Sequence, residues 1–503
     1  MKTLATALFL VFQCSAWGAE PAKPMADAGF ETPWLPTTPF SPVSTAASAL
    51  VPDRDLTLDQ TFNYDGVEWV DTSGKSDVGL AVVDAGGGSY WLIGSTTAAD
   101  GVHLTPVVTP FSSSGIAGPP VFYPGNTDLS SLNTIVGAAE GVNNGVRRIY
   151  VVGTYHQIGF PDADFGVICL DPAHAFIACA GFGIRGLSSF AFDRGGSKND
   201  VPNAIAYDDL SAALYVTGQV ATDTDYRVGV VRMSGTNGAP DTDWGNATTT
   251  DGSFVSSFEF RTGGIASPFA IVAGATSLFQ HDVFVAGTAQ VNSDGSDTDG
   301  FVMAIDAVSG TGFDPDWNLG APRRIFFDLG TTTKNDQITA LSLRHNGALL
   351  IAGEAFGDSG LQQMIFGELT SAGTPHTGYC GGPGICHGPL GDRPYVVGIV
   401  ERPGAGDVVV EASNNVGGVA VEGAYQLGPT GTNVVASHTE TWASTSGTGS
   451  AFARSLAIDA NNRVLAVGYR VYDAAAGDYS MTIVRYVADD SIFGNGFGGK
   501  YKD

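Results

Sequence analysis

The chain predicts an all-β fold, a β-propeller of seven blades. Three observations predict it. An apolar run ending in Gly recurs along the chain, Gly- and Asn-rich turns separate short β-type runs, and no segment of helical length carries a 3.6-residue apolar period. The recurring runs read YWLIGST, IYVVGTY, LYVTGQV, VFVAGTA, LLIAGEA, VVVEASN and VLAVGYR. Their anchors are Gly94, Gly153, Gly218, Gly287, Gly353, Ala412 and Gly468, on average about 62 residues apart.

Residues 1–19 read as a secretory signal peptide. Lys2 supplies the positive start, Leu4 to Phe12 a short apolar stretch, and Ala16-Trp17-Gly18-Ala19 the small residues for cleavage. The apolar stretch falls far below the ~20 residues that span a bilayer. Residues 20–55 are a Pro-rich leader, with Pro21, Pro24, Pro33, Pro36, Pro39, Pro42 and Pro52. Residues 56–503 form one repeat domain.

Each unit opens with a strand carrying a small residue, such as DVGLAVV from Asp77 or DQITALSL from Asp336. A tight turn follows, for example Asn346-Gly347 or Asn461-Asn462, where residues that accept positive φ are needed. The Gly-anchored strand comes next, then an acidic loop and a third strand such as DFGVICL or DYRVGVVRM. A looser fourth strand shows in SFVSSFEF and RRIFFDLG. A lone sheet of this kind leaves both faces bare, and packing sheets around an axis covers them. The period exceeds the ~40–50 residues of common blades, so loops carry the excess. A β-helix repeats at shorter intervals; two packed β-sandwiches remain the alternative.

Closure is also legible. The end of the chain, DDSIFGNGFGGKYKD, and the early stretch LDQTFNYDGVEWVD, Leu58 to Asp71, carry the same Asp-x-x-Phe…Gly turn. Val67–Asp71 belongs to no earlier unit, so it is expected to complete the last blade and remove a sheet edge. The run DYSMTIVRYVADDSIFGNGFGG, Asp478 to Gly499, resembles the delta-60 repeat of bacterial secreted and surface proteins. DTDWGN at Asp241 and FDPDWNLG at Phe313 resemble it more weakly, with Trp in place of Phe. The resemblance implies a propeller-type scaffold and brings no assigned catalytic residues.

Composition bounds the function. The 503 residues include 51 acidic and 24 basic ones, for a net charge of −27, and 43% are hydrophobic. Such a chain repels nucleic acid and anionic membrane surfaces, and tolerates cations, neutral glycans or basic partners. With Cys14 removed in the signal, Cys169, Cys179, Cys380 and Cys386 remain. In an exported protein they are expected to pair locally, Cys169–Cys179 and Cys380–Cys386, out of three formal pairings.

The candidate ligand-binding residues are Asp77, Asn133, Asp200 and Asp336, which stand at one relative position in the first strand of their units. If that strand is innermost, they gather at a channel mouth and could hold a cation or a sugar. Alternatively, each bonds the backbone of its own turn. The acidic loops Asp162-Ala163-Asp164, Asp223-Thr224-Asp225 and NSDGSDTDG up to Asp299 raise calcium as a cofactor, although the last lacks the position-12 Glu of a calcium loop. His376, Cys380, Cys386 and His387 could ligate a metal, against a disulfide-closed loop. Gly357-Asp358-Ser359-Gly360 reads as a turn, since neither GxSxG nor HExxH occurs. Trp69, Trp91, Trp244, Trp317 and Trp442 are expected between blades, or on a sugar where exposed.

Together these readings predict a secreted or periplasmic monomer, a non-enzymatic propeller that binds a carbohydrate or protein ligand, with no nucleic-acid or membrane partner. The alternative is a glycan-active hydrolase or lyase with an acidic site at the channel mouth. A structural or adhesin role is a third reading.

Overall fold

The computed structural model describes residues 57–487 apart from short internal stretches, the longest being 124–131 and 441–449. The expected signal peptide, the Pro-rich leader and residues 488–503 lie outside the described residues. Among the described residues helix is confined to 3-10 turns, among them Pro172–His174 and Asn318–Gly320.

The strands form antiparallel meanders, each built from the predicted order of strand, turn and Gly-anchored strand. The first sheet holds Asp77–Gly86, Ser89–Thr97, Leu104–Phe111 and Val121–Phe122. The second holds Gly137–Asn143, Val146–Tyr155 and Asp164–Asp171, flanked by Ile177–Ala178 and Leu187–Phe190. The third holds Asp200–Asp208, Ala213–Ala221, Tyr226–Ser234 and Ser253–Val255. Next comes an eight-stranded sheet. One half spans Ala266–Ala275, His281–Gln290, Asp297–Asp306 and Arg323–Ile325, and the other Lys334–Leu343, Leu349–Phe356, Gln362–Leu369 and Ile385–Gly388. A four-stranded sheet follows, from Tyr395–Glu401 to Val434–Glu440, and then a last sheet of Ala451–Ile458, Val464–Asp473 and Asp478–Val487.

The sheets stand in a propeller arrangement with five blades distinct, and the hydrogen bonds divide the strands into six sheets. Seven separate sheets, the number predicted from repeat spacing, are not found. The physical reason for one merger is a short parallel contact, Asp297 beside Lys334 and Thr298 beside Asn335, which joins two meanders into one sheet.

The expected closure is present. Val67–Val70 pairs antiparallel with Asp478–Val487, Val67 opposite Val484 and Val70 opposite Met481, and Thr57–Leu58 extends the same edge. The apolar clusters bridge successive meanders. Tyr150, Phe165 and Val167 meet Leu214, Val216 and Val231. Phe62, Tyr90 and Leu92 meet Leu465, Val467 and Met481, so the final sheet is sealed to the first. Burying each such side chain contributes about 1.5–3 kcal/mol.

The recurring anchor glycine has a steric cause. Opposite it, the first strand carries a β-bulge, seen between Pro202 and Ala204, Pro268 and Ala270, Ile338 and Ala340, and Ala453 and Ser455. The bulge tips a carbonyl towards the anchor: a Cβ on Gly287, Gly353 or Gly468 would stand 1.9 Å from the oxygen of Ser267, Gln337 or Phe452. In two bulges the extra residue also ties to the next sheet. Asn203 Nδ2 donates to Pro268 O at 2.7 Å, and Thr339 Oγ1 to Val396 O at 2.8 Å.

The Asp-x-x-aromatic turn proves to be a lock between neighbouring sheets. It occurs at Asp59–Phe62, Cys179–Phe182, Asp241–Trp244, Asp314–Trp317 and His376–Tyr379. In each, the first residue donates its N–H to the end of its own third strand, at Arg485, Cys169, Arg232, Ala304 and Glu368. The aromatic residue is buried in all five. The residue after it donates an N–H to a turn of the next meander, at Ser114, Asn237, Ser309, Ala372 and Thr430. A glycine with positive φ follows each of those carbonyls: Gly115, Gly238, Gly310, Gly373 and Gly431.

Candidate functional site

The third-strand end and the lock turn are clamped by side chains that differ from sheet to sheet. Arg485 pairs with Asp59 at 2.8 Å and Arg232 with Asp241 at 3.0 Å. Glu368 and His376 form the same clamp with the carboxylate on the strand and the imidazole on the turn, at 2.6 Å. The expected disulfide Cys169–Cys179 takes this place in the second sheet, and Cys380–Cys386 is also formed. These four cysteines therefore bind no metal. His387 Nδ1 lies 2.5 Å from Gln363 Oε1 instead.

Where Ala304 stands in the arginine position, Asp314 has no cationic clamp from that strand. It faces Asp282, which burial and then the Asp314 charge push up to about 8. The buried Asp282 Oδ2 and Asp314 Oδ2 have no hydrogen-bond partner.

Asp77 and Asp200 open their first strands, Asp336 is the third residue of its own, and all three are fully buried. They serve the segment that enters the strand. Thr72 donates its N–H to Asp77 Oδ2 at 2.6 Å and its hydroxyl to Oδ1 at 2.7 Å. Phe192 N–H donates to Asp200 Oδ2 at 2.7 Å, and Phe327 N–H to Asp336 Oδ2 at 2.6 Å. Both phenylalanines follow the fourth strand of the preceding meander, so these aspartates pin one meander to the next. Burial raises the Asp77 carboxyl and pushes Asp200 and Asp336 up to about 7. Asn133 lies outside the described residues. Asp77, Asp200 and Asp336 are not hydrogen-bonded to one another, and each is spent on a different seam.

Two of these seams gather further carboxylates. At one, Asp164 is held up to about 6 by burial, then by Asp162 and Asp193. At the other, Asp297, Asp299 and Asp328 can place one carboxylate oxygen each so that all lie within 4.8 Å of one another. The acidic loop NSDGSDTDG thus supplies two of three residues. Asp328, from beyond the fourth strand, was missed because nothing in its local sequence marks it. Asp294 of that loop is outside the described residues. Asp225, of the loop Asp223-Thr224-Asp225, pairs with Arg227 at 2.9 Å.

The aromatic expectations divide. Trp244 and Trp317 are buried in the locks, Trp91 meets Phe176 edge-on at 5.4 Å, and Trp69, half exposed, carries Arg470 over its ring at 4.0 Å. Trp442 and Ser359 are outside the described residues. Two hollows in the surface are small. One of about 10 Å³ is lined by Ser267 and Thr288, and one of about 260 Å³ by Arg232 and Asp241. Small-molecule sites usually enclose roughly 300–1,000 Å³.

No family model matches the chain, and no curated protein matches it. Among solved structures it is similar to a protein of unknown function from Dyadobacter fermentans, at 10% identity and a TM-score of 0.40, covering 84% of this chain and 100% of that one. It is also similar to the NanB sialidase of Streptococcus pneumoniae, at 8% identity and 0.40, covering 85% and 71%. A third is the periplasmic gluconolactonase of Pseudomonas aeruginosa, at 11% identity and 0.37, covering 82% and 99%.

Proposed function

We propose that the chain is an exported, non-enzymatic β-propeller that binds a carbohydrate or protein ligand on its surface. The observation that carries this is the use of the mouth carboxylates: Asp77, Asp200 and Asp336 are buried and hydrogen-bonded to connecting backbone. A glycosidase needs two carboxyl groups facing one pocket, and these face three different seams. In this reading the ring has seven repeats, the eight-stranded sheet counting as two. Support comes from apolar clusters that link each meander to the next around the ring. The lock turn in five repeats supports kinship with delta-60 repeat proteins. Two disulfides support an oxidising compartment, periplasmic or extracellular, and the closed edge supports a monomer.

A hydrolase or lyase acting on glycans is the second reading. It is favoured by one feature, a carboxyl near pH 7 at Asp200 beside the lower one at Asp164. Mature protein on a glycan array, with a parallel panel of chromogenic glycosides and uronides, separates the two. The proposal expects retention of selected glycans, or of a protein partner, without turnover. Turnover abolished by Asp164→Asn would install the second reading.

A further inference from the structure

We propose that Asp297, Asp299 and Asp328 form a calcium site at the seam within the eight-stranded sheet. The inference does not depend on what the ring binds elsewhere. Asp297 opens the third strand, Asp299 follows two residues later, and Asp328 lies beyond the fourth strand with φ 48°. The parallel contact Asp297–Lys334 brings the next meander against them.

Buried oxygens at this seam lack partners of their own. Asp299 is fully buried, and its Oδ1 has no hydrogen-bond partner. Asp336, also fully buried, uses Oδ2 for Phe327 N–H and leaves Oδ1 without one. Asn335 Oδ1, in the strand that contacts Thr298, is buried and unpartnered as well. Leaving such oxygens unsatisfied costs about 1–3 kcal/mol each, more for a charged group.

The neighbouring seam supplies an internal comparison. The residue two before the partner of the anchor glycine is Asp299 here and Arg227 in the third sheet. There Arg227 lies 2.9 Å from Asp225 and 3.9 Å from Glu259, so the chain places its own cation among the carboxylates. In the Asp299 seam that position is a third acid. Two cations face it: Arg324, which bonds Asp299 Oδ2, and Lys334, 4.0 Å from Asp328. They leave the buried Oδ1 atoms unsatisfied.

The three grouped donors are all carboxylate oxygens, with neither His nor Cys among them. Calcium takes six to eight such ligands in adaptable geometry, whereas zinc favours nitrogen and sulfur, and magnesium demands a tighter octahedron.

The test uses mature protein stripped with chelator, then titrated calorimetrically with calcium and with magnesium, alongside thermal melts. The proposal expects calcium binding and a raised midpoint at up to millimolar calcium, with a smaller response to magnesium. Asp328→Asn, half exposed and so tolerated by the fold, should weaken calcium binding on the order of tenfold or more. Asp299→Arg, copying Arg227, should fold and lose the calcium response. Absence of calcium binding, or binding that both variants leave unchanged, would overturn the site.

Discussion

Trp244 covers Gly310 of the neighbouring sheet so closely that a Cβ on Gly310 would stand 2.3 Å from the indole. The same relation holds for Tyr379 with Gly431, at 2.4 Å, and for Trp317 with Gly373, at 2.6 Å. Each glycine also sits at positive φ, so a side chain there is strained before it collides. Sheets are thus fastened by a large ring pressed onto bare backbone, with one hydrogen bond beside it.

Gly310→Ala should therefore destabilise the ring by about 1–3 kcal/mol through overpacking and backbone strain. Trp244→Ala should cost about 3–5 kcal/mol, since a buried indole is lost. Midpoints of denaturant unfolding check both. An exposed site such as Gly263, where a Cβ meets nothing within 4 Å, supplies the comparison, although its φ of 71° gives it a backbone cost of its own.

The clamps of the locks are interchangeable in role. Reducing the two disulfides should lower the thermal midpoint, with about 2–3 kcal/mol expected from a short closed loop. Replacing Cys169 with Arg and Cys179 with Asp together should recover part of that loss, because Arg485–Asp59 and Arg232–Asp241 hold the equivalent places. Melting with and without reductant reads the effect, and four free thiols in the oxidised protein would contradict it.

The Asp282 carboxyl carries a pH signature. Its folded value of about 8 lies above the ordinary 3.8, so the folded state binds the extra proton. Its contribution to stability is complete below pH ~4 and is lost as pH rises through 8. Asp200, raised to about 7, acts in the same sense. Asp59, Asp225 and Asp459 are lowered below 3.8, so their contributions fail only in stronger acid. Asp282→Asn keeps a donor for Asp314 and removes the second charge. Its thermal midpoint should exceed that of the parent at pH 8 and match it near pH 5; equal midpoints at both would contradict the repulsion.

Much of the fold was legible because its causes are local. The anchor glycine recurs because a bulge carbonyl occupies the place of its Cβ, and closure was readable because both extremities carry the same turn. The lock turns at Cys179–Phe182 and His376–Tyr379 carry no sequence mark, since a disulfide and a Glu–His contact replace the Arg and Asp seen at Arg485–Asp59 and Arg232–Asp241. The mouth carboxylates Asp77, Asp200 and Asp336 stand at or near strand starts, each bonded at its own seam. Their partners are backbone amides of the preceding segment, which no side-chain pattern reveals. The separate-sheet count failed at Asp297 and Lys334, where two parallel pairs of residues, invisible in a periodic pattern, join two meanders.

The central claim is a ring shut by its own ends and held by repeated locks. Hydrogen exchange of the mature protein tests it most directly, through the amides of Val67–Val70 and of the partner segment Met481–Val484. The account predicts that both exchange slowly and at matched rates, and that they lose protection together when Phe62→Ala opens the lock. Fast exchange across Val67–Val70 while Met481–Val484 stays protected would contradict it.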